Sequence, residues 1–354
     1  MISLLLGALL SAHLGPVAPD TPVRQPQLAA RQKTVALAFG AARAIYLSVS
    51  SDGGESFAAP VKVAEVEVLP LGRHRGPRIA FAGDAMVITA VAGNHLATGA
   101  HAHGLPADGD LLSWRSLDGG KTWSKPLVVN DVPAAAVEGL HGLSGSADGK
   151  LFAVWLDTRS GKGKQLYGAV SKDGGATWSK NIPIYSSPAG TICECCHPSA
   201  AIDGRGRLLV MWRNSLGGSR DMYAAASADG TTFDEPVKLG NGTWPLNACP
   251  MDGGALAASS GKVLTVWRRG GDIFLAEPGA PERQIGTGRD VALALSGAHV
   301  FAAWSDGTRL TAWVDGESHV LSGTGAFPSL CPLPGGSALA AWEENGGIQV
   351  RRLP

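Results

Sequence analysis

Short apolar runs that end in an aromatic or a small residue recur along the whole chain. The runs are Val35–Phe39, Met86–Ala92, Leu151–Trp155, Leu208–Trp212, Val263–Trp267, Val300–Trp304 and Ala338–Trp342. Runs of this length with glycine-rich segments between them predict β-strands rather than helices. Each run would be one strand of a repeat unit, so the pattern predicts seven units of three or four strands each.

A second motif marks a turn within the same units. Full copies span Ser50–Phe57, Ser116–Trp123 and Ser171–Trp178, and a copy shortened by one residue spans Ser227–Phe233. The aspartate of each copy can accept hydrogen bonds from backbone N–H groups of its own turn, and the glycines permit a positive φ. We therefore predict hairpin turns in which the aspartates have a structural role: Asp52, Asp118, Asp173 and Asp229.

This motif resembles the Asp-box, or BNR repeat, of the sialidase-like superfamily. The resemblance implies an all-β fold, a single β-propeller of four-stranded blades over residues 19–354, without a helical domain. Sialidases have six blades. The seven units favour seven blades, with the N-terminal segment completing the last one; six blades, with the first and last units sharing one, is the alternative. In this superfamily the Asp-box lies far from the active site, so the four aspartates are assigned no chemistry.

Charge and the N-terminal segment limit the partners and the compartment. Thirty basic residues balance thirty acidic ones, so we expect neither nucleic acid nor an anionic membrane surface as a partner. The uncharged, mainly apolar stretch from Ile2 to Leu14 is followed by small residues, which predicts a secretory signal over residues 1–18. The stretch is too short for a transmembrane helix. We therefore expect a secreted or periplasmic monomer without a membrane span.

The repeat register places a set of reactive side chains on one face. In a propeller, the start of each innermost strand and the end of the next strand lie at the same channel mouth. Innermost-strand starts bring His74, Arg75, His141, Cys196, His197, Cys249 and Cys331 to that mouth, and second-strand ends bring Asp157, Arg213 and Arg268. Because Cys193 and Cys195 directly precede Cys196, all five cysteines are predicted to lie at the mouth.

Three interpretations of the cysteines remain open. Thiolate and imidazole ligands favour copper or zinc, bound by Cys193, Cys195, Cys196, His197, Cys249 and Cys331, with His74 and His141 as further candidates. The same segment also has the C-x-x-C-H spacing of c-type haem attachment, through Cys193, Cys196 and His197. Structural disulfides without any cofactor are the third interpretation. Either cofactor would imply redox or metal-handling work.

An enzymatic or glycan-binding role is the alternative function. The resemblance implies arginines that clamp a substrate carboxylate, a task for which planar guanidinium groups are well suited. The candidate catalytic residues are Arg75, Asp157, Arg213 and Arg268. No tyrosine lies directly before the last repeat, where the family nucleophile would be expected, so a catalytic Tyr/Glu pair is not assigned. We therefore expect an exported member of the superfamily that binds a small molecule, glycan or metal, rather than a true sialidase; a propeller that only binds proteins is a further alternative.

Overall fold

The computed structural model describes residues 11–99, 102–259, 261–307 and 309–354. Over these residues the chain forms 28 strands and no helix, and the strands are arranged in seven four-stranded antiparallel sheets. The all-β prediction and the count of seven blades are therefore confirmed, and the six-blade alternative is wrong. None of the described segments forms a helix that could span a bilayer.

Each sheet is one blade, and its strands are named A to D from the channel outwards. Blade 1 contains β2 (Val23–Arg31), β3 (Thr34–Ala41), β4 (Ala44–Ser50) and β5 (Val61–Glu65). Blade 2 contains β6 (Arg78–Ala82), β7 (Ala85–Ala92), β8 (Asp110–Ser116) and β9 (Leu127–Val128). Blade 3 contains β10 (His141–Gly145), β11 (Leu151–Asp157), β12 (Gln165–Ser171) and β13 (Ile182–Tyr185).

The remaining four blades repeat this order. Blade 4 contains β14 (Ser199–Ile202), β15 (Leu208–Arg213), β16 (Met222–Ser227) and β17 (Val237–Lys238). Blade 5 contains β18 (Gly254–Ala258), β19 (Val263–Arg269), β20 (Asp272–Ala276) and β21 (Arg283–Thr287). Blade 6 contains β22 (Arg289–Ser296), β23 (His299–Ser305), β24 (Leu310–Val314) and β25 (Glu317–Ser322). Blade 7 contains β26 (Ala326–Pro332), β27 (Ala338–Glu344), β28 (Gly347–Leu353) and, as its outer strand, β1 (Ser11–Leu14).

The innermost strands surround a central channel. Strand A of each blade contacts strand A of both neighbouring blades, and β26 of the last blade contacts β2 of the first, which closes the ring. The apolar runs identified in the sequence all lie in strands B, where they are buried between blades. The tryptophans near the ends of four of these strands are almost fully buried: Trp155, Trp212, Trp267 and Trp342. These large rings fill the wedge-shaped space between neighbouring sheets.

The N-terminal segment completes blade 7, as the sequence predicted. Strand β1 pairs antiparallel with β28, with Ser11 opposite Arg351 and Leu14 opposite Ile348. Leu14 is buried in the same apolar cluster as Ile348 and Val350. The predicted signal segment, residues 1–18, therefore includes the outer strand of a blade, and its first ten residues lie outside the described part of the chain.

The Asp-box turns join strands C and D on the face opposite the mouth. In the second copy, the Asp118 carboxylate accepts hydrogen bonds from the backbone N–H groups of Lys121 and Thr122, at 3.0 and 2.9 Å. The Ser116 hydroxyl accepts the Gly120 N–H at 2.9 Å. Gly120 has φ +89°, and a methyl group there would overlap with Leu47 of the preceding blade. The turn therefore has the predicted structural role and also packs against its neighbour.

Candidate functional site

The mouth is formed by loops in which several non-glycine residues have a positive φ. These residues are Arg73, His74, Met251, Asp290 and Phe327, with φ between 51° and 66°. The pairing of β22 with β23 and of β26 with β27 is also irregular near the first residues of strands A. Strained backbone and β-bulges are common where side chains are directed toward a functional site. Residues of this kind are fewer among the described residues of the opposite face, where Gln32 and Asp315 are examples.

Four cysteine sulfurs meet at this mouth, and we call them the sulfur cluster: Cys193, Cys195, Cys196 and Cys249. A disulfide joins Cys195 to Cys249, with 6.3 Å between their Cα atoms. The Cys193 sulfur lies 3.3 Å from that of Cys196 and 3.8 Å from that of Cys195. The disulfide connects the loop that precedes strand A of blade 4 to the loop that precedes strand A of blade 5.

The two free thiols of the sulfur cluster have different electrostatic surroundings. Both Cys193 and Cys196 are buried. The hydrogen bond between the two thiols lowers the pKa of Cys193 to about 7, against the opposing effect of burial and with help from the charges of Arg213 and Arg220. Burial raises the pKa of Cys196 well above the usual value for a thiol. Cys193 is therefore the residue of this pair that more readily becomes a thiolate, the form that binds metals and attacks disulfides.

Cys331 does not belong to the sulfur cluster, and its predicted place at the mouth is wrong. The sequence interpretation took Cys331 and Pro332 as the start of a strand, whereas β26 runs from Ala326 to Pro332 and Cys331 lies near its far end. Its side chain is buried in the apolar core with Val35 and Leu37. Burial raises the pKa of Cys331 to about 12, so this thiol is inert.

Two of the three candidate histidine ligands, His141 and His197, have other partners. His141 is fully buried, and its Nε2 lies 3.0 Å from the Thr89 hydroxyl of blade 2. Burial lowers the pKa of His141 to about 3. The Nδ1 of His197 accepts the Gly253 N–H at 3.3 Å. Neither ring is among the described groups close enough to share a metal ion with the cysteines.

A second polar group lies beside the sulfur cluster and includes His74. The Nε2 of His74 lies 2.8 Å from a carboxylate oxygen of Asp290. The His74 ring stacks on the ring of His197, with 4.2 Å between the ring centroids. Asp252 is fully buried, and its Oδ1 has no hydrogen-bond partner. Burial raises the pKa of Asp252. The Arg268 guanidinium lies 3.7 Å from Asp252 and that of Arg289 lies 3.2 Å from Asp290, so arginine charges already balance these carboxylates.

Three of the four candidate catalytic residues are held in structural contacts. Arg213 is buried and donates to the carbonyl oxygens of Asp252, Arg220 and Arg268 at 3.1, 2.7 and 2.9 Å. Arg75 donates to the Glu138 carbonyl at 2.7 Å. Asp157 is fully buried and accepts from Trp155 at 2.8 Å and from several groups of Arg159. These side chains join loops and blades and do not face an open site.

The fourth candidate, Arg268, lines a groove of about 600 Å³ at the mouth. We call this space the arginine groove, and it is also lined by Arg73, Arg289, Trp244 and Cys249. The Arg268 guanidinium lies 5.4 Å from the centre of the Trp244 ring. The sequence interpretation missed Arg73 and Arg289 as site residues. Arg73 directly precedes His74, and Arg289 is the first residue of β22, so their position at strand starts was the signal that could have found them.

Comparison with known proteins agrees with this architecture. Residues 44–267 match the family described as the BNR repeat-like domain, which is more than half of the chain. The chain belongs to this BNR repeat-like family. A search of curated proteins gives no match.

Solved structures similar to this BNR repeat-like chain share its fold at low sequence identity. A protein of unknown function from Dyadobacter fermentans has a TM-score of 0.59 at 14% identity, with 97% of this chain and 98% of that one covered. The leech intramolecular trans-sialidase has a TM-score of 0.55 at 12% identity, with coverages of 96% and 69%. A polysaccharide lyase of family PL25, an ulvan lyase, has a TM-score of 0.54 at 10% identity, with coverages of 97% and 96%. At this level of identity the likeness concerns the propeller alone.

Proposed function

We propose that this protein is an exported propeller that binds a soft metal ion, copper(I) or zinc, at the sulfur cluster. The supporting observation is the convergence of sulfurs: those of Cys193, Cys195 and Cys196 lie within 4.8 Å of one another, and Cys249 is bonded to Cys195. Tetrahedral Zn–S bonds of about 2.3 Å separate neighbouring sulfurs by roughly 3.8 Å. The separations of 3.3 and 3.8 Å around Cys193 are close to this value.

In this proposal the disulfide is first reduced by two equivalents of an external thiol, which are released as their own disulfide, and metal binding follows. In the disulfide form, Cys195 and Cys249 cannot act as thiolate ligands, and only the buried pair remains. Once reduced, four thiolates would face one point, the ligand set typical of zinc, and three of them suffice for copper(I). The charges of Arg213 and Arg220, which favour the Cys193 thiolate, would offset part of the repulsion between thiolates.

The geometry favours a bare metal ion over a c-type haem. Both thiols of the C-x-x-C-H segment, Cys193 and Cys196, are only 1% exposed. The channel cavity beside His197 has a volume of about 220 Å³, less than a porphyrin needs. His197 also uses Nδ1 to accept a backbone N–H, whereas an axial haem ligand commonly directs that nitrogen toward a hydrogen-bond acceptor.

Metal titration of the reduced and the disulfide forms tests this proposal. We expect one equivalent of copper(I) or zinc to bind to the reduced protein with an affinity at least tenfold above that of the disulfide form. Cys196→Ser should weaken binding by a similar factor, and Cys331→Ala is the matched control because Cys331 is buried far along β26. Equal affinity of the two redox forms, or no binding by the reduced protein, would contradict the proposal.

A second candidate function is recognition of a carboxylate-bearing glycan in the arginine groove. Three arginines and Trp244 line this groove, and guanidinium groups with an aromatic platform suit an acidic sugar. Two of the proteins with a similar fold are a trans-sialidase and an ulvan lyase. Titration with N-acetylneuraminic acid, followed by tryptophan fluorescence, should show saturable binding that Arg289→Met weakens at least tenfold. Galactose, which lacks a carboxylate, is the control ligand, and equal responses to both sugars would argue against this function.

A further inference from the structure

The sulfur cluster contains two pairs that differ in exposure. The buried pair is Cys193 and Cys196, both about 1% exposed. The rim pair is the disulfide between Cys195, which is half-buried, and Cys249, which is exposed and lines the arginine groove. A dithiol that solvent does not reach therefore lies beside a disulfide that solvent does reach.

We propose that these two pairs exchange their disulfide, so that the buried dithiol is oxidised through the rim disulfide by an anionic low-molecular-weight disulfide in the arginine groove. The inference uses the sulfurs of the proposed metal site but needs no metal. Each transfer joins sulfurs that are already near neighbours: the Cys193 sulfur is 3.8 Å from that of Cys195 and 3.3 Å from that of Cys196.

The exchange balances in two steps of thiolate attack. The Cys193 thiolate attacks the Cys195 sulfur, the bond to Cys249 breaks, and Cys249 leaves as a thiolate that takes a proton from solvent. The Cys196 thiolate then attacks the Cys193 sulfur and releases Cys195 as a thiolate, which is protonated in turn. Two electrons have moved from the buried pair to the rim pair, and two protons have moved with them.

The rim pair is then reoxidised from outside. The Cys249 thiolate attacks the small disulfide and releases one small thiol, and the Cys195 thiolate resolves the mixed disulfide and releases the second. The net reaction converts the buried dithiol and one external disulfide into a buried disulfide and two small thiols. Because Arg73, Arg268 and Arg289 line the same groove as Cys249 and outnumber the Asp290 carboxylate that also lines it, an anionic disulfide should approach this sulfur faster than a cationic one.

Disulfide mapping of the native protein tests the internal exchange. Trypsin leaves residues 181–205, with three of the cysteines, on one peptide and Cys249 on another, residues 239–262. The protein is equilibrated in glutathione buffers, quenched with acid and alkylated before digestion. We expect two products: the 181–205 and 239–262 peptides joined by a disulfide, and a 181–205 peptide with an internal disulfide. Cys193→Ser should reduce the internal form at least tenfold, whereas Cys331→Ala should leave it unchanged.

A further variant, Cys196→Ser, identifies the order of the two attacks. Cys196→Ser should stop the exchange after the first attack and accumulate a Cys193–Cys195 disulfide with Cys249 alkylated. If the wild-type protein passes from the cross-linked form to the fully reduced form without an internal disulfide, the exchange is refuted, whether or not the Cys193 variant folds. Metal uptake by the fully reduced protein is a separate measurement, so failure of the exchange and failure of the metal site can be distinguished.

Stopped-flow oxidation of the reduced protein tests the external partner. Oxidised glutathione, which is anionic, should react at least tenfold faster than cystamine, which is cationic, and added salt should remove most of the difference. Arg289→Met should slow oxidation by glutathione and speed oxidation by cystamine, because it removes one positive charge from the groove. Equal rates for the two disulfides at low salt would overturn the assignment of an anionic partner.

Discussion

Arg213 is the side chain whose removal should affect the mouth most. It stands at the end of β15 in blade 4 and donates to three backbone carbonyls, two of which, those of Asp252 and Arg268, belong to blade 5 and its preceding loop. Arg213→Met keeps most of the volume but leaves three carbonyl oxygens without their donor. The side chain is 1% exposed, so water has little access to replace it.

The expected loss of stability follows from these contacts. A hydrogen bond that involves a charged group contributes about 1.5–3 kcal/mol, but removing the guanidinium also removes the cost of burying its charge. A buried carbonyl oxygen left without its donor costs about 1–3 kcal/mol; with three such oxygens and the cost of burying the charge removed, we expect Arg213→Met to lose about 3 kcal/mol. Arg213→Lys should cost less, because one ammonium group can still reach part of the carbonyl set.

Urea denaturation followed by tryptophan fluorescence measures this change. Arg43→Met is the matched control, because Arg43 is half-exposed and pairs only with Glu65 and Glu67 on the surface; exposed pairs of this kind contribute about 0–1 kcal/mol. The charge of Arg213 also lowers the pKa of Cys193, so the pKa of that thiol should rise in Arg213→Met. If the variant loses no more stability than Arg43→Met, Arg213 does not hold the blades together as inferred.

Three further expectations concern acid stability and ring closure. Burial acts to raise the pKa of Asp173, but hydrogen bonds from Thr177 outweigh this effect and lower the pKa to about 2. The stabilisation by this carboxylate is therefore complete above pH 3.8 and lost toward pH 2, so the difference in Tm between the wild type and Asp173→Asn should shrink over that range. A difference in Tm that stays constant would contradict this expectation. Burial lowers the pKa of His141 to about 3, so only the unfolded chain binds a proton at this residue as the pH falls below 6.5. The free energy of unfolding should therefore decrease by up to about 1.4 kcal/mol per pH unit. His141→Gln should make the dependence of the unfolding free energy on pH less steep, and equal pH dependence of variant and wild type would refute the role of His141. A chain that starts at Pro19 lacks β1 and should melt at a lower temperature than the full chain, and Leu14→Ala should cost about 2 kcal/mol. Equal melting temperatures of the long and short chains would show that β1 adds no stability. Sequencing the N-terminus of the protein purified from its native host would show whether β1 is retained.

The fold was predictable because its signals are local. Each Asp-box is a short contiguous motif whose hydrogen bonds lie within one turn, as for Asp118, and each strand B is a contiguous apolar run. The count of blades followed from the count of runs. Closure by the N-terminal segment was predictable as well, because the seventh unit had no outer strand of its own in the sequence, but the strand that closes the ring, Ser11–Leu14, lies in the stretch that was interpreted as a signal.

The site was only partly predictable because it depends on where each strand starts. Cys193, Cys195, Cys196 and Cys249 converge as expected, since the register of blades 4 and 5 was read correctly. Cys331 was misplaced by the length of one strand. The sequence also could not show that the Arg213 guanidinium donates its hydrogen bonds to three backbone carbonyl groups. An arginine at the end of a strand has the same sequence pattern whether its side chain binds a ligand or the backbone.

The order of strands in blade 7 has a consequence for how the protein is made. Blades 1 to 6 are each built from four consecutive strands, so each can assemble soon after its own residues leave the ribosome. Strand β1 pairs only with β28, which ends at Leu353. Of the described strands, the first to be synthesised is therefore the last to find its partner, and throughout translation its open edge must be kept from pairing with other chains. An interrupted translation product would carry this unpaired strand permanently, which gives quality-control proteases a means to tell it from the finished ring.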